Sequence, residues 1–325
     1  MAWVRRWAVS VASFVGGLLT LFVFRRGLPH VGWIVGYLLL LWIVVAAMVQ
    51  ARDALAGSGR RAHRLALAAG DYTIQTLYHG IVLFLLPAYW AAATLTSRNV
   101  LFLLVLVALA LLATFDPWYR SVVRPRPWLR HVFFLLSVFA ALNVALPLVG
   151  VPPLPALLAS AWAAVVGLTP AVCRAQRWRW HRGLAATVLA GLVAMWAVGL
   201  LRAAIPPAPL FLARAALGWG VAGVESLEPL PDSIAAGELR QRGLVAYTAI
   251  YAPAGLRQPV EHVWSQNGRV VTVVPLSPVL GGRAEGFRTW SRKTAFPPDP
   301  LGRWTVDVVT SAGQLIGRLR FRVVE

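Results

Sequence analysis

The sequence predicts an α-helical membrane bundle of about seven transmembrane helices, followed by a small C-terminal all-β sandwich domain. Hydrophobic residues make up 58% of the 325 residues, and the mean hydropathy is +0.67, whereas soluble domains are about 45–50% apolar. Long apolar runs fill the first two thirds of the chain. After residue 244 the hydrophobic pattern changes from a helical period to a period of two, which is typical of β-strands.

The apolar runs are long enough to form membrane-spanning helices. A helix rises about 1.5 Å per residue, so about 20 apolar residues cross a hydrocarbon core of about 30 Å. The first run could be a signal peptide, but no A-x-A-like cleavage site follows it, so we interpret it as an uncleaved span. Residues 1–205 therefore form the predicted transmembrane domain. Its seven runs are Trp7–Phe24, Val31–Val49, Thr73–Leu95, Asn99–Phe115, His131–Gly150, Leu154–Val172 and Leu184–Ile205.

The arginines between the runs predict how the chain is oriented. With the N-terminus in the cytoplasm, 14 arginines fall in cytoplasmic segments and three, Arg25, Arg26 and Arg98, fall in outside loops. Positive residues that flank spans are retained in the cytoplasm. Seven spans then place the C-terminal domain in the periplasm. We expect a multi-pass protein of the bacterial inner membrane, with the lipid bilayer as a partner.

The stretch CRAQRWRWHRG, residues 173–183, interleaves basic and aromatic residues as nucleic-acid grooves do. The net charge of +19 points the same way. However, residues 1–224 hold 19 arginines and only three acids, and those arginines alternate between loops. We interpret the stretch as the last cytoplasmic loop, with its tryptophans in the membrane interface and its arginines near anionic headgroups. We therefore expect no nucleic-acid partner.

A row of polar residues lies in the third apolar run. Asp71, Gln75 and His79 are spaced four residues apart, which places them on roughly one face of a helix. Ionisable groups at membrane depth cost about 2.5–3.5 kcal/mol each on insertion scales, so each needs a physical reason. The row is a candidate proton path or polar binding groove. The alternative is hydrogen bonding between helices, for instance to Asn143 in the fifth run.

Residues 206–243 are predicted to join the two domains. In APLFLARAALGWGVAG, residues 208–223, apolar residues have a rough helical spacing that Arg214 interrupts, and we expect an interfacial helix on the outer leaflet. If this segment crossed the membrane as an eighth span, the C-terminal domain would be cytoplasmic. Residues 225–243 are acidic and polar and contain two prolines, which is typical of a linker.

Alternating apolar residues in 244–325 predict six or seven strands and two hairpins. The first hairpin turns at Asn267-Gly268, a favoured type I′ pair. The second turns near Ala312-Gly313, and a two-residue loop there makes one face apolar and places opposite charges across the ladder. The predicted pairs are Trp304–Phe321, Val306–Leu319, Val308–Gly317, Asp307–Arg318, Thr305–Arg320 and Arg303–Arg322.

Three stretches of the C-terminal domain carry a family resemblance: VEHVWSQNGR, GGRAEGFRTWSRKTAFP and GRWTVDVVTSAGQLIGRLRFRV. Residues 240–325 resemble a bacterial family of uncharacterised all-β domains. Members of that family occur at the C-terminus of multi-helix membrane proteins of unknown function, and the membrane half of this chain looks like the same kind of protein. The resemblance supports the architecture and implies no mechanism.

The C-terminal domain contains a candidate ligand-binding cluster in GGRAEGFRTWSRK, residues 281–293. Basic groups beside an aromatic ring could hold an envelope glycan, a lipid headgroup or the carboxylates of an envelope protein. The alternative is an edge strand protected by charge. The candidate residues are Arg283, Arg288, Trp290, Arg292 and Lys293.

The leading functional hypothesis is an inner-membrane protein that presents a periplasmic binding domain. The alternative is a transporter or proton-coupled protein that uses Asp71, Gln75 and His79. His262 stands alone in the sequence, and we identify no nucleophile, acid–base pair or set of metal ligands. We therefore predict no catalytic residue, no metal and no cofactor, and an enzyme is the hypothesis with the least support.

Overall fold

The computed structural model describes residues 31–56, 61–220 and 233–325. The chain divides into two compact units. The helical unit comprises Met1–Ala88, Phe102–Ala145 and Pro155–Leu201. The β unit comprises Tyr89–Leu101, Leu146–Leu154 and Arg202–Glu325, so it includes two short segments that connect helices.

The helices account for most of the chain before residue 201. Within the described residues, five are long and apolar enough to cross a membrane, or six if a bent pair counts as one span. The predicted run Trp7–Phe24 lies outside the described residues. The helices are α1 (Val31–Ala56), α2 (Arg61–Ala92), α3 (Val100–Thr114), α4 (Asp116–Trp118), α5 (Pro127–Leu148), α6 (Pro153–Val166), α7 (Thr169–Gln176) and α8 (Trp180–Leu200).

One predicted run, Asn99–Phe115, is followed by a sharp bend, and another contains a turn. After α3 the chain bends by 95° into α4 and a π-helical turn, Tyr119–Val123. The predicted run Leu154–Val172 lies within one candidate span, Pro153–Gln176, which contains a turn because α6 ends at Val166 and α7 begins at Thr169. Gly167 at this break would bring a Cβ within 3.1 Å of the Phe134 ring, so the break also allows close packing of α5.

The β unit contains ten strands within the described residues. The three-stranded sheet has the order β1-β3-β8, the five-stranded sheet has the order β2-β10-β9-β5-β6, and β4 pairs with β7. A short helix, α9 (Ala236–Arg242), precedes β3. The strands are β1 (Phe211–Gly218), β2 (Ser233–Ala235), β3 (Leu244–Tyr251), β4 (Arg257–Gln258), β5 (Val260–Gln266), β6 (Arg269–Pro275), β7 (Val279–Leu280), β8 (Phe287–Lys293), β9 (Gly302–Thr310) and β10 (Leu315–Val324).

The predicted interfacial helix over residues 208–223 is wrong. Phe211–Gly218 is strand β1, which pairs antiparallel with β3, so neither an interfacial helix nor an eighth span occupies these residues. The linker prediction for 225–243 is also wrong at its end, where β2 and α9 form; residues 225–232 lie outside the described residues. The β unit therefore begins before residue 244 and includes Arg202–Glu325.

Both predicted hairpins are present. Asn267 and Gly268 have φ angles of 49° and 82°, the left-handed values that a type I′ turn requires. All six cross-strand pairs predicted for the second hairpin occur between β9 and β10. The turn is longer than predicted, because Leu315 pairs with Val309 and a bulge separates Leu315 from Gly317.

The two larger sheets share one hydrophobic core. Its buried residues include Ile250 from β3, Trp264 from β5 and Trp304 from β9. Gly317 on β10 permits a close approach between the sheets, since a Cβ there would lie 2.2 Å from Leu212 Cδ1 of β1. Trp304 stacks on Phe321 at 5.9 Å between ring centroids, which closes the core beneath the second hairpin.

Candidate functional sites

The exposed face of β8 brings together three of the predicted ligand-binding residues. Arg288, Trp290 and Arg292 are exposed, and the Trp290 residue retains 51% of its accessible surface. The intervening Thr289 and Ser291 are buried, as the two-residue period of a strand requires. An aromatic ring thus lies between two guanidinium groups on a fixed strand.

Strands β3 and β1 extend this face. Tyr247 of β3 lies in register with Trp290, and Ala249 lies in register with both Arg288 of β8 and Arg214 of β1. Arg214 is therefore a neighbour of the predicted cluster that sequence analysis missed. Because Tyr247 is buried, we define the β8 surface by its exposed residues, Arg214, Arg288, Trp290 and Arg292.

The positive charges of this region have different partners. Arg288 Nη2 donates to Glu285 Oε2 at 2.9 Å, and Arg292 Nη2 donates to the Arg242 carbonyl at 3.2 Å. Arg283 lies in the preceding loop, with its guanidinium 5.1 Å from the centroid of the Phe287 ring. The Arg214 guanidinium forms no hydrogen bond or ion pair with any residue that the structure describes. Arg214 is thus the charge with most capacity to bind an added anion.

Lys293 does not belong to this exposed face. It is 7% exposed, its Nζ donates to Thr272 Oγ1 of β6, and it lies 5.5 Å from the centroid of the Phe296 ring. Burial lowers the pKa of the Lys293 amine. The expectation that Lys293 joins Arg292 in an exposed cluster is wrong, because consecutive residues of a strand point to opposite faces.

The polar row of α2 is aligned against the bend that follows α3. Asp71 Oδ2 lies 3.3 Å from Arg124 Nε, and Gln75 Nε2 donates to the Ala113 carbonyl at 3.1 Å. His79 Nδ1 lies 2.9 Å from Thr114 Oγ1, and this hydroxyl also donates to the Ala110 carbonyl. One ion pair and two hydrogen bonds to residues between Ala113 and Arg124 therefore account for all three side chains.

The hydrogen-bond partner of His79 differs from the Asn143 given as an example above. The partner shown for His79 is Thr114, at the end of α3, and not Asn143 of α5. The following π-helical turn carries Arg120, which donates to Asp116 at 3.0 Å. π-Helical turns inside apolar helices are frequent at functional sites. The polar row thus faces an irregular segment in which backbone geometry is already perturbed.

Comparisons with known proteins identify families for both parts of the chain. Residues 1–246 match the family described as "Family of unknown function (DUF5924)", and residues 257–323 match "Protein of unknown function (DUF2914)". The first match covers more than half of the chain. The chain belongs to the DUF5924 family. Neither the curated proteins nor the solved structures contain a match to it.

The boundary between the two family matches lies inside the β unit. The DUF5924 match ends at residue 246, within β3, whereas the DUF2914 match begins at residue 257. Strand β3 pairs with β1 from the DUF5924 region on one side and with β8 from the DUF2914 region on the other. The two matched regions therefore share a sheet, and the predicted resemblance of the C-terminal residues to an uncharacterised domain family is confirmed.

A buried polar network connects the two larger sheets in this shared region. His262 Nδ1 lies 2.8 Å from Ser291 Oγ, and His262 Nε2 lies 3.0 Å from Thr248 Oγ1. Trp264 Nε1 donates to the same Ser291 oxygen at 3.1 Å. Either neutral tautomer of the imidazole satisfies both hydroxyls. His262, which stood alone in the sequence, thus joins β5 to β3 and β8.

Burial of this network keeps His262 uncharged. The residue is 0% exposed, and burial lowers its pKa from 6.5 to about 4. A desolvated imidazole resists protonation because its charged form loses hydration. No described group of three or more His, Cys, Asp or Glu could hold a metal ion. The His262 side chain is inaccessible to solvent, so we expect it to contribute to the stability of the β unit.

We predict that the β unit loses stability between pH 6.5 and pH 4. Above pH 6.5 His262 is neutral in both the folded and the unfolded chain. Between pH 6.5 and about pH 4 the imidazole binds a proton in the unfolded chain but not in the folded chain, so falling pH favours unfolding. The loss approaches about 3 kcal/mol, from roughly 1.4 kcal/mol per pKa unit. Tryptophan fluorescence during thermal unfolding at each pH measures it.

His262→Asn should weaken this pH dependence and lower stability at pH 7. His181→Asn, which replaces an exposed histidine of α8, is the matched control and should behave as the wild type. If His262→Asn kept the full pH dependence, another group would cause it.

Proposed function

We propose that this DUF5924 protein is a multi-pass inner-membrane protein whose β unit lies in the periplasm and binds an anionic envelope glycan. The observation that carries the proposal is the β8 surface, where the half-exposed Trp290 ring lies between Arg288 and Arg292. Aromatic rings stack on the apolar faces of sugars, and guanidinium groups bind carboxylates with two parallel hydrogen bonds. A fixed strand holds both kinds of group in one orientation.

The position of the β unit is supported by two observations. The predicted outside loops carry three arginines, against 14 in the predicted cytoplasmic segments. The connections after α2 and after α5 also belong to the β unit, where Asn99 Nδ2 donates to the Leu315 carbonyl at 3.2 Å. Both connections are predicted outside loops, so a β unit packed on them would share their side of the membrane. The shared core of the two sheets supports the sandwich interpretation.

We predict that a reporter fused after Glu325 is active in the periplasm and that a cytoplasm-only fluorescent reporter is dark there. Fusions at Gly150 and at Arg126 provide internal references, because these residues lie in a predicted outside loop and a predicted cytoplasmic loop. The physical reason is retention of arginine-rich loops in the cytoplasm. A cytoplasmic signal after Glu325 would contradict the proposed location and with it an envelope ligand.

The binding prediction concerns Trp290. Full-length protein in neutral detergent should sediment with purified cell-wall sacculi, which combine sugar rings with carboxylates. Trp290→Ala should weaken binding at least about tenfold, because roughly 1.4 kcal/mol of stacking corresponds to that factor. Leu280→Ala replaces another apolar side chain, in a residue that is 48% exposed, and serves as the control that retains binding.

Charge variants refine the same measurement. Arg214→Gln should weaken sedimentation, whereas Arg257→Gln, an exposed charge outside the β8 surface, should not. Anionic phospholipid vesicles and captured envelope proteins form parallel arms. If the protein binds vesicles or an envelope protein but not sacculi, the proposed glycan ligand is wrong. If Trp290→Ala binds sacculi as well as the wild type does, the proposed binding site is wrong.

A second candidate function is proton-coupled transport through the polar row of α2. The specific observation in its favour is that His79 faces Thr114, the last residue before a 95° bend and a π-helical turn. Discontinuous helices contribute ion and substrate sites in many transporters. The hydrogen bonds already made by the row favour a structural role, so this candidate ranks second.

Proton flux distinguishes the two roles of the row. If it conducts protons, proteoliposomes with an internal pH-sensitive dye should show flux that His79→Ala reduces at least about tenfold, since an aliphatic side chain cannot relay a proton. Thr76→Ala, on the exposed side of the same helix, is the matched control. The candidate fails if wild-type protein shows no flux or if His79→Ala leaves it unchanged.

A further inference from the structure

The outer face of the five-stranded sheet carries a second group of arginines. Arg303 of β9 and Arg322 of β10 lie directly opposite each other in register, and Arg320 is two residues from Arg322. Their neighbours Trp304 and Phe321 are buried in the core, so the three arginines project away from it. Opposite Cα atoms are about 5 Å apart and alternate ones about 7 Å apart, so the three guanidinium groups reach a common volume.

These arginines lack the partners that other charges in the β unit have. Across residues 31–56, 61–220 and 233–325, none of the three guanidinium groups forms a hydrogen bond or an ion pair. The nearby carboxylate on this face, Asp307, is occupied by Arg318, which donates from Nε at 2.5 Å and from Nη2 at 2.6 Å. The same hairpin thus contains one fully compensated arginine and three uncompensated ones.

Neither sheet stability nor edge protection explains the opposed pair Arg303 and Arg322. Like charges directly opposite each other destabilise a sheet. Charged residues do protect exposed edge strands from aggregation. However, β9 lies between β10 and β5, and β2 covers β10 at Arg322–Val324, so the opposed pair Arg303 and Arg322 does not lie on an open edge. An anion that binds between the arginines would remove the repulsion.

The residues beside the cluster are hydrogen-bond donors. Ser233 of β2 is exposed and lies in register with Arg322, and Thr305 of β9 lies in register with Arg320. We infer that Arg303, Arg320 and Arg322, with these two hydroxyls, form a binding site for a phosphate group. Arginine forks match phosphate oxygens in pairs, and hydroxyls can donate to the remaining oxygens. This phosphate site belongs to a different sheet from the β8 surface and extends the proposed function.

The phosphate group has two possible sources. Arg318, two residues before Arg320 on β10, donates from Nη1 to the Thr96 carbonyl at 3.3 Å, in the connection that follows α2. Arg320 is therefore about 7 Å further along the strand. If the long helices span a membrane, this connection lies at the membrane surface, within reach of phospholipid headgroups. A soluble phosphorylated compound is the other source.

The test compares two double variants of the full-length protein in neutral detergent. Arg303→Gln/Arg322→Gln removes the opposed pair, and Arg257→Gln/Arg269→Gln removes two other exposed charges of the β unit as the matched control. The soluble probe is inorganic pyrophosphate, followed by calorimetry. The membrane probe is a phosphatidylcholine vesicle with or without phosphatidylglycerol. The protein is reconstituted in phosphatidylcholine nanodiscs, and its binding to the vesicles is measured by co-flotation.

Wild type and control should bind at least one probe, and Arg303→Gln/Arg322→Gln should bind it at least tenfold more weakly. Without a probe, this variant should unfold at the same temperature as the wild type or a higher one, because a like-charge pair is removed. Pyrophosphate binding alone identifies a soluble phosphate compound, and vesicle binding alone identifies a headgroup. The inference is overturned if wild type binds neither probe, or if both double variants lose binding equally.

Discussion

The β unit depends on the complete burial of strand β3. Every residue from Leu244 to Ile250 is buried, on both faces of the strand. Both of its backbone edges are hydrogen-bonded, one to β1 and the other to β8. A strand of this kind cannot form at the end of a domain, because unpaired backbone groups in an apolar environment are costly. The residues before β3 are therefore part of the domain, and two sequence families meet within one sheet.

The second hairpin shows how much of the fold the sequence determines. Its strands alternate over both faces, and a slip of one residue would move Trp304 into solvent and separate Asp307 from Arg318. The register was predictable for this reason. Residues 211–218 lack such alternation because a bulge between Leu212 and Arg214 shifts the phase of β1. The resulting apolar spacing resembles a helix, and only pairing with β3 distinguishes the two structures.

The candidate sites were predictable in part, and the errors have physical causes. Lys293 follows Arg292 in a strand, so the two-residue period alone places them on opposite faces, and the sequence contained this information. Arg214 comes into register with Arg288 only through Ala249 of β3, and no local pattern predicts this alignment of residues more than 70 positions apart. The spacing of the polar row indicated one helical face. However, the hydrogen bond between His79 and Thr114 depends on the bend that follows α3.

The location of uncompensated charge separates binding residues from structural ones in this chain. Buried polar groups such as His262 and Gln75 are fixed in place by neutral hydrogen-bond partners, and burial keeps His262 uncharged. The arginines of the second hairpin divide into two kinds: the half-buried Arg318 is paired with the Asp307 carboxylate, whereas the exposed Arg320 and Arg322 have no anionic partner among the described residues. Solvent lowers the cost of an unpaired exposed charge, but it does not explain why like charges are aligned in register inside a sheet. An external anion explains that alignment, since it would convert a repulsive row into a bidentate site.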